Sequence, residues 1–335
     1  MTDARPVLVE LKDLSISFGS RSNPIQVIQD VNLIIRKGET VALVGESGSG
    51  KSVTSLAIMQ LLPSVRIGGS VLWHSESGVS DLLTLSPKQM RAFRGGAIGM
   101  IFQEPMTSLN PLFKVGDQII EAVRLHRSVS RREARQIAED ALRLVGIPEP
   151  ATRLDNMPFE MSGGMRQRVM IAMSLVCRPA LLIADEPTTA LDVTIQAQIL
   201  ELLRRLQAEL GMSMLFITHD FGVVSEIAER IAVMYAGQIV ETGTAEQVLH
   251  APVHPYTAAL LEAIPRTDFK VDRLASIEGV VPDPMFWPTG CRFAPRCTAA
   301  KTGLCTDNVP PLAEADPGRR VRCARWKEFV EKAYA

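Results

Sequence analysis

The chain has 335 residues, of which 46% are hydrophobic and 22% are charged, the composition of an ordinary folded globular protein. Its formal net charge of −1 gives no electrostatic reason to expect broad nucleic-acid binding. Because 335 residues exceed the usual size of one hydrophobic core, we expect one large domain and an appendage.

Membrane and secretion signals are not evident in the sequence. No stretch approaches the ~20 predominantly apolar residues that a membrane-spanning helix needs. Asp3 and Pro6 lie where a signal peptide would have a basic start and an apolar run. We therefore expect a cytosolic protein that meets a membrane only through partners. In that compartment the five cysteines are expected to be thiols or metal ligands rather than disulfides.

The first half of the chain passes from strands to helices. Residues 7 to about 100 are predicted to form strands and one helix, and the apolar run 40–44 leads into a glycine-rich turn. Residues from about 104 to 178 are predicted to be mainly helical. Ser130 and Glu133 have the spacing of a capping box, and Gly146 can close the helix that they begin.

Strands and helices alternate again from about 179 to 250. Apolar strands are predicted at 180–184 and 214–218, and between them Asp192 can cap a helix that runs to Gly211. This alternation predicts a parallel sheet with helices on both faces. Beyond about 265 the chain is rich in Pro, Gly, Cys and Arg and shows little periodicity.

The strongest chemical signal is a phosphate-binding loop after the strand at 40–44. Its glycines let backbone N–H groups turn inward around phosphates, and the helix that follows adds the positive end of its dipole. Lys51 would neutralise the β- and γ-phosphates of ATP, and the Ser52 hydroxyl would ligate Mg²⁺. The loop residues are Gly45, Glu46, Ser47, Gly48, Ser49, Gly50, Lys51 and Ser52.

Two carboxylates follow the apolar strand at 180–184. Because open α/β sheets bind ligands at the carboxyl ends of their strands, Asp185 would bind the Mg²⁺ shell there. Glu186 could polarise the attacking water as a general base. Acidic residues also follow strands as simple helix caps, but the phosphate-binding loop favours the catalytic interpretation.

Residues 161–168 (MSGGMRQR) resemble the signature motif of the ABC ATPases, and they precede the second carboxylate strand as in that family. Ser162, Gly163 and Gly164 at a helix start would present a hydroxyl and bare amides to the γ-phosphate of a partner's ATP. The common motif has Leu first and Gln fifth, whereas this chain has Met161 and Met165. Met at the fifth position is familiar in the peptide-importer branch. The nearby methionines are expected to fill the core.

The remaining motifs occur in the order of that family. The resemblance implies that Gln103 senses the γ-phosphate and Mg²⁺ and links the ATP site to a membrane partner. The resemblance also implies that His219 is the switch histidine that contacts the γ-phosphate. Glu186, His219 and Gln103 would then be the three catalytic residues. Residues 190–192 would communicate between two ATPase subunits, although Asp192 also serves as a helix cap. Phe18 would stack on adenine, with a place in the core as the alternative.

The resemblance implies an α/β P-loop ABC ATPase cassette with a parallel-sheet core and an antiparallel β edge. We expect a nucleotide-binding domain at 1–265, a helical subdomain inserted at about 104–178, and a small irregular Cys-containing extension at 266–335. Magnesium would be held by Ser52, Gln103 and Asp185 beside bound ATP.

Two stretches resemble one branch of the family, the importers of dipeptides, oligopeptides and nickel. They are residues 103–111 (QEPMTSLNP) and 254–257 (HPYT). The resemblance implies an ATPase that powers peptide import, with nickel or another small solute as the alternative substrate. A soluble ABC ATPase and a non-hydrolysing regulatory subunit are the rival classes.

That branch also implies partners and a location. They are a homologous second ATPase subunit, two transmembrane permease subunits and an extracytoplasmic substrate-binding protein, with no nucleic acid. The chain would lie peripherally on the cytoplasmic face of the inner or plasma membrane.

Four cysteines fall within 33 residues of the extension: Cys291, Cys297, Cys305 and Cys323. Their spacing lacks the paired C-x2-C of most zinc modules. Four thiolates can hold a tetrahedral zinc or a [4Fe–4S] cluster, and some peptide-importer ATPases that this tail resembles carry such a cluster. Zinc, free thiols and a disulfide pair stay open as alternatives. Cys177 stands apart in an apolar helix and is expected in the core.

Overall fold

The computed structural model describes residues 5–20, 22–103, 109–189, 191–264 and 276–333. Within these ranges the chain forms two compact units. The first unit is built from Met1–Arg36, Thr40–Leu83 and Thr218–Ala335, and the second from Lys37–Glu39 and Thr84–Ile217. No helix in the described ranges is long and apolar enough to cross a membrane.

The strands are β1 (Val7–Gly19), β2 (Pro24–Arg36), β3 (Thr40–Val44), β4 (Arg66–Ser75), β5 (Gly78–Asp81), β6 (Ile98–Ile101), β7 (Leu181–Asp185), β8 (Ser213–Thr218), β9 (Arg230–Tyr235), β10 (Gln238–Thr244), β11 (Ala313–Asp316) and β12 (Arg319–Val321). The helices are α1 (Lys51–Ile58), α2 (Pro87–Phe93), α3 (Val115–His126), α4 (Arg131–Leu144), α5 (Pro150–Arg153), α6 (Gly163–Leu175), α7 (Val193–Leu210), α8 (Phe221–Ile227), α9 (Ala245–His250), α10 (Pro255–Glu262) and α11 (Trp326–Ala333).

The first unit contains two groups of paired strands. Strands β2, β1, β4 and β5 pair in that order, each antiparallel to its neighbour. Strand β3 pairs parallel with β9, and β9 continues antiparallel through β10 and β12 to β11. All five residues of β3 are buried, as the apolar run at 41–44 predicts. The phosphate-binding loop therefore starts from a rigid strand.

The core of the first unit includes an aromatic cluster. The ring of Tyr235 lies 4.5 Å from that of Tyr256 and 5.2 Å from that of Phe293, measured between centroids. All three side chains are buried, together with Val44 and Val233. Tyr235 is the last residue of β9, Tyr256 belongs to α10, and Phe293 lies in the C-terminal extension. The cluster therefore joins the extension to the strands of the first unit.

Two ion pairs also attach the extension to this unit. Arg319 on β12 donates to the Glu241 carboxylate on β10 at 2.7 Å, and both side chains are fully buried. Arg322 donates to the Asp30 carboxylate at 2.7 Å. Removing one partner of a buried pair leaves an uncompensated charge, which typically costs about 3–5 kcal/mol. The extension is thus packed into the unit rather than appended to it.

The second unit has a short parallel sheet in the order β8, β7, β6. All five residues of β7 are buried. Helices α3, α4 and α6 pack against one another, and their contacting faces bury small and branched apolar side chains. This is the helical region that the sequence predicts between about 104 and 178.

Local signals in the sequence placed several helix ends correctly. Ser130 and Glu133 form the reciprocal bonds of a capping box at the start of α4. Asp192 accepts from the Ile195 N–H at the start of α7, and Gly211 ends that helix with a φ of 65°.

Other elements escaped the sequence interpretation. Helix α2 and the C-terminal elements β11, β12 and α11 were not predicted, because they are short or lack clear periodicity. Cys177 lies just after α6 and is half-buried rather than inside a helix core, so that expectation was wrong.

The buried His254 generates a test of pH dependence. Its Nδ1 accepts from the Tyr256 N–H at 3.1 Å and caps α10, which requires a neutral ring. Burial lowers the pKa of His254 to about 3. The unfolded chain binds this proton near pH 6.5, so stability is present above that pH and is lost as the pH falls toward about 3. The steepest loss is about 1.4 kcal/mol per pH unit.

His254→Asn keeps a capping acceptor and removes the titration. We expect its free energy of unfolding to fall less between pH 7 and pH 4 than that of the unchanged chain. Urea unfolding at several pH values measures the difference. Parallel pH profiles for the two chains would contradict the buried neutral histidine.

Candidate active site

The phosphate-binding loop joins β3 to α1 and depends on glycine at two positions. A Cβ on Gly45 would lie 2.1 Å from the Met234 carbonyl oxygen, so only glycine fits against that backbone. Gly50 has a φ of 106° and caps α1, and its Cβ would lie 2.4 Å from Ile28 Cδ1. The Gly237 N–H also donates to the Ser49 carbonyl at 2.8 Å. The loop is therefore packed tightly on its inner side.

Lys51 is held at the loop itself. Its Nζ donates to the carbonyl oxygens of Gly45 at 2.7 Å and Glu46 at 3.0 Å, and the side chain is only 4% exposed. Ser52, one residue further into α1, is half-buried. An ammonium group placed at a nest of loop amides provides the charge that a polyphosphate requires.

Glu46 is fixed from two directions within the first unit. Its backbone N–H donates to the Tyr256 hydroxyl at 2.9 Å. Its carboxylate receives two hydrogen bonds from Arg296, at 2.8 and 3.0 Å. Burial raises the pKa of Tyr256, and hydrogen bonding to Glu46 raises that of Arg296, so both stay protonated. The start of the loop is thus anchored to the C-terminal part of the chain.

Asp185 and Glu186 lie in the second unit at the carboxyl end of β7. Asp185 is 4% exposed. Glu186 has a φ of 48°, which is uncommon for a residue with a side chain. Its Oε2 accepts from Gln103 Nε2 at 3.0 Å and from Thr189 Oγ1 at 2.8 Å. The structure therefore brings Gln103 and Glu186 into direct contact, a pairing that sequence spacing alone does not reveal.

The signature motif forms the start of α6, as predicted. Ser162 caps the helix by accepting from the Met165 N–H at 3.3 Å, and it is exposed. A Cβ at Gly163 would meet nothing within 4 Å, so this turn faces open space. Gln167 in the same helix donates to the Pro187 carbonyl at 2.5 Å and ties the helix to the segment after Glu186.

The methionines of α6 and its approach divide into two groups. Met161 and Met170 are each 3% exposed, which agrees with the expectation that they fill the core. Met165 and Met173 are only half-buried.

The other predicted residues are divided between the two units. His219 is exposed and directly follows β8, and Phe18 is half-buried near the end of β1; both belong to the first unit with the loop. The second unit holds Gln103, Asp185, Glu186 and Ser162. Residues 104–108 of the importer-like stretch and Ala190 lie outside the described residues.

Two residues that contact the loop were missed from the sequence. Tyr256 was recognised only as part of a family-like stretch, with no physical role. Arg296 was not singled out at all, because 250 positions separate it from Glu46 and no local pattern marks such a contact. The next residue, Cys297, was singled out in the sequence as a candidate metal ligand, but this did not indicate a contact between Arg296 and the loop.

The four cysteines of the extension line one small cavity of about 20 Å³. Its walls also include Phe293, Phe329 and Arg325, and they carry no carboxylate. Burial raises the pKa of the Cys291 and Cys297 thiols and raises that of Cys323 to about 12. Four cysteines lining one cavity supply the type of donor that a soft metal prefers.

The positions of the four side chains set a limit on that interpretation. Across the described residues, no group of three or more His, Cys, Asp or Glu side chains is placed so that it could hold a metal ion. The cavity volume of about 20 Å³ corresponds to the space of roughly one water molecule.

Comparison with known proteins identifies the family. The model of the ABC transporter family matches residues 28–189, and that of the oligopeptide/dipeptide transporter C-terminal region matches residues 240–305. A putative peptide import ATP-binding protein of Brucella melitensis is 52% identical over 98% of this chain and 99% of its own. The dipeptide transport ATP-binding protein DppD of Escherichia coli is 50% identical over 94% of this chain and 96% of its own.

Solved structures agree with this assignment. The dimeric ATP-binding cassette MJ0796, in a post-hydrolysis state with ADP and Pi, has a TM-score of 0.62 and 29% identity over 71% of this chain and 99% of its own. The cassette cbiO1 of Clostridium perfringens, part of the transporter complex cbiONQ, has a TM-score of 0.62 and 27% identity over 73% of this chain and 91% of its own.

Fold and sequence together define an ABC ATPase cassette. The chain belongs to the ABC transporter family, among the ATP-binding proteins whose ATPase activity is coupled to transport.

Glu186 generates a test of the chemistry. Glu186→Gln keeps the size and the acceptor oxygen at this position but removes the base. We expect nucleotide affinity to stay within about threefold while ATP turnover falls by roughly 10²-fold or more, the scale of a lost general base. Turnover of the assembled ATPase and binding of a fluorescent nucleotide analogue measure the two quantities separately. Near-normal turnover in the variant would assign the base elsewhere.

Proposed function

We propose that this chain is the nucleotide-binding subunit of a bacterial importer of dipeptides and oligopeptides. Identity of 50–52% over almost the whole chain to proteins named for peptide import carries this proposal. The match to the oligopeptide/dipeptide transporter C-terminal region supports it, since that match covers residues outside the ATPase cassette. Nickel or another small solute is the alternative substrate, because an ATPase subunit does not itself touch the cargo.

The predicted site residues would act on different parts of Mg·ATP. Lys51 neutralises the β- and γ-phosphates, the loop amides cradle them, and Phe18 stacks on adenine. Bound Mg²⁺ would offset charge on the phosphates, held by Ser52, Gln103 and Asp185. Glu186 polarises the attacking water, and its contacts with Gln103 and Thr189 support its orientation. His219 would contact the γ-phosphate from the end of β8.

Catalysis in this proposal needs a second ATPase subunit. Ser162, Gly163 and Gly164 would complete the partner's site, and the exposure of Ser162 and the open space at Gly163 support this role. The partner is a different but homologous subunit, and residues 190–192 would relay between the two. MJ0796, one of the similar structures, is itself a dimer.

The same proposal covers the membrane side of the transporter. Two permease subunits would dock near Gln103, and an extracytoplasmic binding protein would deliver the peptide. The chain would lie peripherally on the cytoplasmic face of the membrane, with residues 1–265 as nucleotide-binding domain and 266–335 as extension. The presence of both Glu186 and His219 favours hydrolysis over a purely regulatory role.

Transport by the reconstituted complex tests this function. We expect peptide-stimulated ATP hydrolysis and peptide uptake into proteoliposomes, and no stimulation by Ni²⁺. Ser162→Arg should preserve nucleotide binding by the single chain yet abolish hydrolysis in the complex, because its side chain would block closure over the partner's ATP. Stimulation of ATP hydrolysis by Ni²⁺ but not by peptides would show that the transported substrate is nickel rather than peptide. Full ATP hydrolysis by the single chain as a monomer would contradict an ATP site completed by a second subunit.

We also propose that Cys291, Cys297, Cys305 and Cys323 hold a [4Fe–4S] cluster, with Zn²⁺ as the second candidate. The presence of all four cysteines in the lining of one cavity without carboxylates supports a thiolate site. Arg325 on the cavity wall would offset part of the charge of a thiolate-bound group. The role would be structural, since no step of ATP hydrolysis calls for redox chemistry.

Metal analysis tests the cysteine site. Purification without oxygen should give a brown protein containing about four iron and four sulfide per chain, as the composition of the cluster requires. Cys323→Ser should lose the metal and lower the unfolding temperature, whereas Cys177→Ser should keep both. A colourless protein with one zinc per chain would eliminate the cluster, and a protein without metal would eliminate both candidates.

A further inference from the structure

We propose that Arg296 and Tyr256 are positioning residues for the phosphate-binding loop, so that the C-terminal part of the chain sets nucleotide affinity. This inference rests on the proposed role of the loop in nucleotide binding, and it adds that contacts from the C-terminal part of the chain determine how tightly the loop binds nucleotide. All residues involved belong to the first unit.

Arg296 uses every N–H of its guanidinium group. Two donate to the Glu46 carboxylate at 2.8 and 3.0 Å, and one donates to the Tyr235 hydroxyl at 3.4 Å. The other two donate to the carbonyls of Ile277 at 3.1 Å and Glu278 at 3.0 Å. The side chain is 5% exposed. A fully bonded, buried guanidinium is rigid, and its two-pronged bond fixes the Glu46 side chain in one orientation.

Tyr256 fixes the backbone of the same residue. The Glu46 N–H donates to its hydroxyl, and the Tyr256 ring is fully buried between Tyr235 and Phe293. Without that hydroxyl, the Glu46 N–H would lose its hydrogen-bond partner at a half-buried position. The first turn of the loop is therefore set by contacts with both its backbone and its side chain.

The charge of Glu46 gives the arrangement a direct effect on nucleotide binding. A carboxylate at the second position of a loop that binds a polyanion repels it unless a cation neutralises the charge. Arg296 neutralises this carboxylate through two hydrogen bonds. Loss of Arg296 would leave an unpaired charge and a less ordered loop, and both changes weaken nucleotide binding.

A double-mutant cycle on the full chain tests the proposal, with the Kd for Mg·ADP as the readout. Arg296→Ala should raise Kd about tenfold in the unchanged chain but less than threefold in a Glu46→Ala background, because Arg296 acts through Glu46. Arg296→Lys keeps the positive charge but cannot make the two-pronged hydrogen bond to Glu46. Its Kd for Mg·ADP should lie between those of the unchanged chain and Arg296→Ala. Arg320→Ala is the matched control, since Arg320 is exposed in the same extension.

Tyr256→Phe keeps the buried ring and tests the backbone contact if Arg296→Ala does not fold. It should raise Kd about threefold or more without changing the circular dichroism spectrum. An unchanged Kd in both variants, or an equal tenfold effect of Arg296→Ala with and without Glu46, overturns the proposal. Lys51→Ala distinguishes a failure of this proposal from a failure of the proposed nucleotide site. If Lys51→Ala leaves the Kd for Mg·ADP unchanged, the interpretation of residues 45–52 as a phosphate-binding loop itself fails.

Discussion

A loop that binds phosphates through its backbone must hold its N–H groups in place before the phosphates arrive. In this chain that constraint is met by close packing, since Gly45 and Gly50 leave no room for a Cβ. It is also met by hydrogen bonds from distant residues, because Tyr256 and Arg296 fix Glu46 from its backbone and side chain. Preorganisation of this kind reduces the entropy that nucleotide binding must overcome. The same contacts hold the segments that carry Tyr256 and Arg296 against the loop.

The extension consequently has a physical connection to the ATPase cassette that its irregular sequence does not suggest. The buried pair Arg319–Glu241 and the ring of Phe293 anchor it to the strands of the first unit. The short turn Ala294–Arg296 carries the arginine that contacts the loop and leads directly to Cys297. The phosphate-binding loop and the cysteine-lined cavity are thus contacted by two adjacent residues, Arg296 and Cys297.

Local chemistry made much of this protein predictable from its sequence. The phosphate-binding loop, the capping box at Ser130 and the cap at Asp192 each depend on residues within a few positions of one another, so spacing is enough to find them. Strand β3 was predictable because four apolar residues in succession, 41–44, precede the glycine-rich turn.

Contacts between distant parts of the sequence were not predictable in this way. Neither the Glu46–Arg296 pair nor the Gln103–Glu186 contact has a periodic or adjacent signature. The elements β11, β12 and α11 were missed because they are short and are stabilised by long-range partners such as Glu241.

We infer that residues 45–52 form a preorganised nucleotide site joined to the segment around Arg296. Hydrogen–deuterium exchange of the full chain, with and without Mg·ADP, tests it most directly. We expect slower exchange of the amides at 47–52 on nucleotide binding, with a smaller slowing at 292–297. Protection confined to other parts of the chain, with 47–52 unchanged, would contradict it.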